Sequence, residues 1–212
     1  LLKDPKNKII CIDNLYTGKI RNIQPFMNNP NFRFVNHNII EPIDINEKID
    51  EIYNLACPAS PPYYQKEPML TINTCYHGLL NMLNLAKKYN CKLLQASTSE
   101  VYGNPLEHPQ KESYWGNVHT TGIRSCYDEG KRAAETLCFL FWSKYNLDIK
   151  IIRIFNTYGP NMDINDGRVV TNFINQALYD KNITIYGDGN QTRSFQYIDD
   201  LIEGMLRVMG TD

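Results

Sequence analysis

Short apolar segments alternate with longer helical ones along this chain, and this alternation constrains the fold more than any other feature. The strand-like segments are rich in β-branched residues and cover 8–13, 32–36, 49–56, 91–97 and 148–156. Between the later ones, residues 71–90 and 127–146 carry apolar side chains at helical spacing. Near-continuous apolar strands joined by helices are typical of a parallel sheet covered on both faces. The sequence therefore predicts a doubly wound α/β fold.

The pattern changes after Gly159-Pro160. A helical stretch at 169–179, a short strand at 183–187, a turn and a last helix from Asp199 follow. We interpret residues 1–160 as a partial nucleotide-binding domain of the Rossmann type and residues 161–212 as the start of a smaller, interleaved substrate-binding region. No flexible linker separates the two parts, so we expect them to share an interface.

A glycine-rich loop is expected near the start of such a fold. A doubly wound nucleotide-binding domain opens with a strand and a glycine-rich turn, and an acidic residue ends its second strand about 20 residues later. Asp13 fits the acidic position, but no G-x-x-G-x-x-G precedes it. We therefore expect the first strand and the phosphate-binding loop to be missing from the chain.

Charge, cysteine usage and hydropathy narrow the function classes. The net charge of -1 provides no positive field for a polyanion, so nucleic acid is not expected as a partner. The six cysteines and four histidines show no metal-ligand spacing, so we expect no metal and a reducing, cytoplasmic location. No apolar run reaches the roughly 18 residues of a membrane span. Because the chain starts at Leu1 and not at Met, an upstream targeting or anchor segment is left open.

One predicted strand ends in chemically active side chains. KLLQAS is followed by Thr98, Ser99 and Glu100 before Tyr102-Gly103 turns the chain. The carboxyl ends of strands in an open α/β sheet face the ligand crevice, so these side chains are expected to meet a ligand. The alternative is a strand end whose polar caps face solvent.

Tyr127 and Lys131 lie one turn apart at the start of a predicted helix, so both project from one face. A free tyrosine has a pKa near ~10 and is a weak base at neutral pH. A neighbouring ammonium favours the phenolate and lowers that pKa toward the working range. The pair is predicted to be a catalytic base and the cation that tunes it, although a bare Y-x-x-x-K also occurs by chance.

Together these segments resemble the extended short-chain dehydrogenase/reductase family of sugar-nucleotide epimerases, dehydratases and decarboxylases. The resemblance covers essentially the whole chain and rests on CIDNLYTGKIRN, NLACPASPPYYQKEP, ASTSEVYGNPLEHPQKESYWG, CYDEGKRAAET, RIFNTYGPNMDINDGRVVTNFINQAL and IYGDGNQTRSFQYIDDL. Within the family the match narrows to the UDP-glucuronate decarboxylases, which use bound NAD to make UDP-xylose. The resemblance implies a homodimer formed through long helices. The two helices carry the apolar runs CFLFW and LLNMLNL, which give them more apolar surface than is needed to cover one face of a sheet. This surplus also predicts association.

The resemblance implies a role for each active-site residue. Thr98 would hydrogen-bond the sugar 4-hydroxyl, Tyr127 would take its proton while C4 gives hydride to NAD+, and Lys131 would hold the nicotinamide ribose. The resulting UDP-4-keto-hexuronate is a β-keto acid, because C5 lies between the C4 ketone and the C6 carboxylate. It would lose CO2 to leave an enolate, and protonation at C5 with return of the hydride would give UDP-xylose.

Ser99 and Glu100 distinguish this chain from related 4,6-dehydratases, which carry an acidic pair after the threonine. The Ser99 hydroxyl is too weak an acid to protonate a departing C6 hydroxyl, which argues against dehydration. We assign Glu100 to positioning the sugar or the water that delivers the C5 proton. The alternatives are a 4-epimerase or 4,6-dehydratase on a related nucleotide sugar, or a non-catalytic fragment that binds sugar nucleotide.

Asp13, at the end of a strand, would accept hydrogen bonds from the adenosine ribose hydroxyls and would repel a 2′-phosphate. NAD is therefore favoured over NADP. The resemblance adds further residues around the adenosine, the adenine and the rest of the cofactor, namely Asn14, Tyr16, Thr17, Gly18, Asn38, Ile39, Leu55, Ala56 and Thr74.

The segment NLACPASPPYY (54–64) contains too many prolines to continue as helix or sheet. By resemblance, its residues Pro58, Ser60 and Tyr63 line the sugar, and the alternative is a rigid surface turn. For the rest of the substrate, the resemblance assigns Asn156 and Arg193 to the diphosphate and assigns Arg168, Tyr186 and Gln191 to the uridine.

Three residues depart from the usual pattern of the family. Cys57 stands where serine is usual, Asn73 where lysine is more common and Cys75 where asparagine is more common. None of these changes removes a catalytic group. They are expected to act on affinity or rate.

Overall fold

The computed structural model describes residues 1–211, and these residues form an α/β fold. Its strands are β1 (Ile9–Asp13), β2 (Phe32–Asn36), β3 (Glu51–Asn54), β4 (Lys92–Thr98), β5 (Ile149–Ile154), β6 (Asn156–Tyr158) and β7 (Phe195–Tyr197). Its helices are α1 (Pro61–Lys66), α2 (Pro68–Asn73), α3 (Leu79–Tyr89), α4 (Ser125–Tyr145), α5 (Val169–Leu178) and α6 (Ile198–Met209). A π-helical turn (Thr74–Gly78) joins α2 to α3, and a 3-10 turn (Ser99–Tyr102) follows β4.

All strand ladders in residues 1–211 are parallel, as predicted. β1 pairs with β2, β4 lies between β3 and β5, and β6 pairs with β7. Ladder hydrogen bonds therefore join the strands in three groups and not in one continuous sheet. That a first strand and a glycine-rich loop are missing from the chain stays a prediction.

β4 is buried on both faces, which explains its uninterrupted apolar sequence. Leu93 lies in a core that includes Leu83 of α3 and Leu137 of α4. Leu94, the next residue of the strand, packs on the opposite face against Met205 of α6. Successive side chains of a strand point to opposite faces, so helices cover both sides of β4. The doubly wound arrangement is therefore confirmed around this strand.

Helix α6 comes from the region predicted to begin a smaller lobe, yet it packs on β4 and β5. Part of residues 161–212 thus completes the second helical layer of the sheet. The boundary at residue 160 stays a prediction. None of the helices within residues 1–211 is both long enough and apolar enough to cross a membrane.

Two predictions of local structure are wrong. Residues 183–187 form no strand, because no neighbouring strand pairs with them in the described chain and the side chains of Ile185 and Tyr186 stay exposed. The proline-rich segment does contain a helix, since α1 begins at Pro61-Pro62. Proline is tolerated in the first turn of a helix, where a backbone N–H has no partner in any case.

One sequence argument for association is also wrong. In LLNMLNL, the side chains of Leu79, Leu83 and Leu85 are buried inside the chain, so they leave no surplus apolar surface. In CFLFW, by contrast, Phe139 and Trp142 are more than half exposed, at 58% and 53%.

Candidate active site

The structure brings Tyr127 and Lys131 together at the start of α4, as the spacing predicts. Both side chains are buried, with exposures of 7% and 4%. Lys131 Nζ lies 5.8 Å from the centroid of the Tyr127 ring and donates a 2.8 Å hydrogen bond to the Ala96 carbonyl of β4. The ammonium is thus fixed between the strand and the phenol.

The predicted lowering of the Tyr127 pKa is wrong. Burial raises the pKa of the phenol above its ordinary value, and the charge of Lys131 opposes this only in part. A phenolate in this position loses solvation by water, and the attraction of one ammonium compensates for only part of that loss. Burial also disfavours the Lys131 ammonium, but the nearby Cys57 and Tyr127 charges outweigh this and raise the pKa of the lysine. Tyr127 is therefore protonated and Lys131 charged at neutral pH.

Tyr64 of α1 stacks on Tyr127, a contact that sequence reasoning missed because it selected the neighbouring Tyr63. The ring centroids are 5.1 Å apart and the planes differ by 8°. The Tyr64 side chain is 1% exposed. Its hydroxyl and the Ser60 Oγ are buried without hydrogen-bond partners in residues 1–211. Unpartnered buried hydroxyls are uncommon and mark a place where a polar ligand is accommodated.

The end of β4 meets the start of α4. Thr98 Oγ1 accepts a 3.2 Å hydrogen bond from the Glu100 backbone N–H, which begins the 3-10 turn. The Thr98 side chain also lies close enough to the Tyr127 phenol to favour its ionised form. The carboxylate of Glu100 is paired with Arg124. The polar end of this strand therefore lies beside Tyr127, and Ser99 next to it is half-buried.

Asp128 extends this cluster on the other side of Arg124. The guanidinium of Arg124 lies 3.9 Å from one Asp128 oxygen, and the other oxygen is buried without a partner in the described chain. Burial raises the pKa of Asp128 to about 6, against the opposing effect of Arg124. Sequence reasoning missed both residues. The signal was the four-residue spacing between Arg124 and Asp128, which places both on one face at the start of α4.

A cleft opens beside β1 and the segment that follows β3. It encloses about 540 Å³ of space, part of which is open solvent. Most residues predicted for the cofactor line it, namely Asp13, Asn14, Tyr16, Thr17, Asn38, Ile39, Leu55, Ala56 and Thr74. Tyr127 and Lys131, also predicted for the cofactor, are not among its lining residues.

Asp13 ends β1 with its carboxylate at this cleft. One oxygen accepts a 2.7 Å hydrogen bond from the Leu15 backbone N–H. A Cβ atom at Gly18 would lie 2.9 Å from the other oxygen, Oδ2. Only glycine lets the loop approach the Asp13 carboxylate this closely. Gly18 therefore lies against the carboxylate, although it does not line the cleft.

Cys57 lies between the cleft and the pair formed by Tyr127 and Lys131. It lines the cleft together with Pro58, and its Sγ lies 3.4 Å from Cys75 Sγ. Cys75 packs against Gly130 of α4, where an added Cβ would lie 3.2 Å from its sulfur. Gly130 lies between Tyr127 and Lys131 in sequence, so the two thiols are next to the catalytic residues.

Tyr63 and Arg168 each bind an aspartate of the segment that precedes α5. Tyr63 donates a 3.4 Å hydrogen bond to Asp163, and Lys19 pairs with the same carboxylate at 2.5 Å. Arg168 forms a two-point ion pair with Asp166. The hydrogen bond to Asp166 raises the pKa of Arg168 against the opposing effect of burial, and Tyr127 contributes to a lesser extent.

The other residues predicted for the nucleotide lie along the last third of the chain. Asn156 donates a 3.1 Å hydrogen bond to the Ser194 carbonyl, and Gln191 donates a 3.0 Å bond to the Tyr186 carbonyl. Tyr186, Gln191 and Arg193 are exposed. Their assignments to the uridine and the diphosphate stay predictions.

Comparisons with known proteins agree on one family. The model of the NAD dependent epimerase/dehydratase family matches residues 1–212. The chain is 54% identical over 203 residues to UDP-glucuronic acid decarboxylase 4 of Arabidopsis thaliana, covering 96% of this chain and 45% of that protein. It is 49% identical over 206 residues to UDP-glucuronic acid decarboxylase 1 of Xenopus tropicalis, covering 97% of this chain and 48% of that protein. The chain thus spans about half the length of these curated relatives.

A solved structure shares the fold. UDP-glucuronic acid 4-epimerase from Bacillus cereus, in complex with UDP-glucuronic acid and NAD, matches with a TM-score of 0.84 and 29% sequence identity. The match covers 100% of this chain and 68% of that chain.

Proposed function

Because the chain belongs to the NAD dependent epimerase/dehydratase family, we propose that the protein is an enzyme that converts UDP-glucuronate to UDP-xylose and CO2 with bound NAD. The observation that carries the proposal is the buried pair of Tyr127 and Lys131 at the start of α4, with Thr98 of β4 beside the phenol. The names of relatives about half identical to the chain support the substrate and the decarboxylation. Since the chain spans about half their length, the activity is proposed for the whole protein.

The residues around the cleft fit NAD. Asp13 Oδ2 accepts no hydrogen bond within residues 1–211 and is suited to the hydroxyls of the adenosine ribose. A carboxylate there disfavours the 2′-phosphate of NADP. Thr74 and Cys57 continue the wall of the cleft toward the catalytic pair. When bound, NAD+ supplies a hydride acceptor for sugar carbon 4 and later returns the hydride, so the cofactor is not consumed.

Tyr127 would move a proton at its phenol oxygen: as the phenolate it would take the proton of the sugar 4-hydroxyl, and as the phenol it would return one. Burial disfavours the phenolate, so the reaction depends on the charge of Lys131, which favours it. Thr98 lies beside the phenol and would orient the same hydroxyl. Lys131 is held for this task by its hydrogen bond to the Ala96 carbonyl.

Glu100 acts at the neighbouring sugar carbon, C5. A ketone at C4 makes C6 the carboxylate of a β-keto acid, which is why CO2 leaves without an added acid. Arg124 fixes the Glu100 carboxylate, which would hold the sugar or the water that protonates C5. The buried hydroxyls of Ser60 and Tyr64 are available as further hydrogen-bonding groups for the sugar.

Incubation with UDP-glucuronate and NAD+ followed by mass spectrometry tests the proposal. We expect a sugar nucleotide that has lost the mass of CO2. Tyr127→Phe should abolish this product, whereas Tyr145→Phe, on the exposed end of the same helix, should not. An isomer of unchanged mass would instead indicate a 4-epimerase, and loss of water would indicate a dehydratase. NAD binding measured by calorimetry without any product would indicate a binding module.

We also propose a homodimer in the cytoplasm. Phe139, Leu140 and Trp142 expose an apolar face on α4, with exposures of 58%, 52% and 53%, which supports a helix-mediated contact. All six cysteines are free thiols, the state expected in a reducing compartment. Analytical ultracentrifugation of the wild type and of Trp142→Glu tests the contact, because the charged variant should sediment as a monomer.

A further inference from the structure

Cys57 and Cys75 form a thiol pair in the wall of the cleft. Their sulfurs lie 3.4 Å apart and share one S–H hydrogen bond. Cys75 is 3% exposed, whereas Cys57 is half-buried and lines the cleft. Within residues 1–211 this is the only hydrogen-bonded contact between two cysteine sulfurs. One thiol of the pair can therefore be reached from solvent, and the second lies directly behind it.

We propose that Cys57 and Cys75 are a modification site, a dithiol that is reversibly oxidised to a disulfide by a small-molecule disulfide of the glutathione type. A disulfide bond measures about 2.05 Å. To form the bond, the sulfurs must therefore move closer by only ~1.3 Å, and each of the two side chains can make part of this movement. The proposal does not depend on the reaction that the protein catalyses.

Cys57 is the attacking thiol. It faces the cleft, and the hydrogen bond from Cys75 together with the charge of Lys131 keeps its pKa below that of an ordinary thiol. The same hydrogen bond and burial raise the pKa of Cys75, which stays protonated behind it. A thiolate attacks disulfides and a thiol does not, so the order of the two steps follows from these positions.

The exchange proceeds in two balanced steps. The Cys57 thiolate attacks one sulfur of the small disulfide, whose S–S bond breaks and releases one small thiolate. Cys75 then gives up its proton and attacks the Cys57 sulfur, which forms the Cys57–Cys75 bond and releases the second small thiolate. The protein loses two electrons and two hydrogens, and the small disulfide is reduced to two thiols.

The test uses the whole chain, first reduced and then freed of reductant. It is incubated with oxidised glutathione, the remaining thiols are alkylated under denaturing conditions, and the intact mass and the cross-linked peptides are measured. We expect a product that lacks two hydrogens, carries no glutathione and contains one cross-link between residues 57 and 75. Dithiothreitol should reverse it. Glutathione that stays on Cys57, a cross-link at another cysteine or no reaction would overturn the proposal.

Variants assign the two steps. Cys75→Ala should trap glutathione on Cys57, and Cys57→Ser should remove the reaction. Cys126→Ser is the matched control, because Cys126 is half-buried in the same neighbourhood and donates to the Tyr64 carbonyl at 3.5 Å. It should form the 57–75 cross-link as the wild type does, and loss of the cross-link in this variant would contradict the assignment. Peptide mapping of the wild type keeps the test valid if a variant at Cys75 folds poorly.

Discussion

Tyr64 lies flat against Tyr127, with the ring centroids 5.1 Å apart and the planes 8° from parallel. The contact joins the proline-rich segment after β3 to the first turn of α4. A buried ring on one face of the Tyr127 phenol limits the positions that the phenol can take. Tyr64 is thus a packing partner that orients Tyr127.

Truncation of Tyr64 should separate the roles of its ring and its hydroxyl. The side chain is 1% exposed, so we expect Tyr64→Ala to lower the free energy of unfolding by about 3 to 5 kcal/mol. The hydroxyl has no partner in the described chain, so Tyr64→Phe should change stability by less than about 1 kcal/mol. Urea unfolding measures both values. Equal losses of unfolding free energy in the two variants would show that the hydroxyl, and not the ring, stabilises the fold.

Removal of Arg124 should reduce activity more than stability. Its ion pair with Glu100 is partly exposed, with side-chain exposures of 46% and 35%, so Arg124→Ala should cost less than about 1 kcal/mol. Loss of the contact that fixes Glu100 should slow turnover by about 10- to 100-fold. Arg207→Ala, which breaks an exposed pair with Glu203 elsewhere, is the control and should leave turnover unchanged. A stability loss of several kcal/mol in Arg124→Ala would instead assign the residue to folding.

Asp128 should make stability depend on pH in the opposite sense to most carboxylates. Burial raises its pKa from 3.8 to about 6, so the folded state binds the proton more tightly than the unfolded chain. The contribution of Asp128 to wild-type stability should therefore fall as the pH rises from about 4 to about 6. Asp128→Asn should remove this component and raise the free energy of unfolding at neutral pH by about 1 to 3 kcal/mol.

Urea unfolding at a series of pH values measures this difference between the variant and the wild type. Glu129→Gln, the next residue on the same helix, is the matched control, because its carboxylate is partly exposed and lies 3.6 Å from Arg132. The same pH-dependent gain in both variants would contradict the role of burial at Asp128.

Loss of the Lys131 charge should move the Tyr127 titration to higher pH. The ammonium favours the phenolate, and it is the main influence that opposes burial. We therefore expect the ultraviolet absorbance change of phenolate formation to shift upward for one tyrosine in Lys131→Met. Comparison with Tyr127→Phe identifies that tyrosine, and Lys48→Met, an exposed lysine paired with Asp50, should leave it unchanged. An unshifted titration would show that Lys131 does not tune the phenol.

Periodicity was sufficient to predict the doubly wound arrangement around β4. An uninterrupted apolar strand requires cover on both faces, and residues 93 and 94 receive it from different helices. Spacing along one helix likewise brought Tyr127 and Lys131 to one face. The segment 183–187 shows the limit of such patterns, because a strand also needs a neighbour with which to pair, and its apolar side chains remain exposed.

The sequence by itself determined most of the strand and helix order, because this depends on local patterns, and its family resemblance predicted most of the residues that line the cleft. Only the tertiary structure decided that Tyr64 stacks on Tyr127, that Arg124 fixes Glu100 and that Cys57 meets Cys75. Each of these contacts joins segments that are distant in sequence. The same is true of the raised Tyr127 pKa, because the balance between burial and the Lys131 charge depends on how closely the surrounding elements pack.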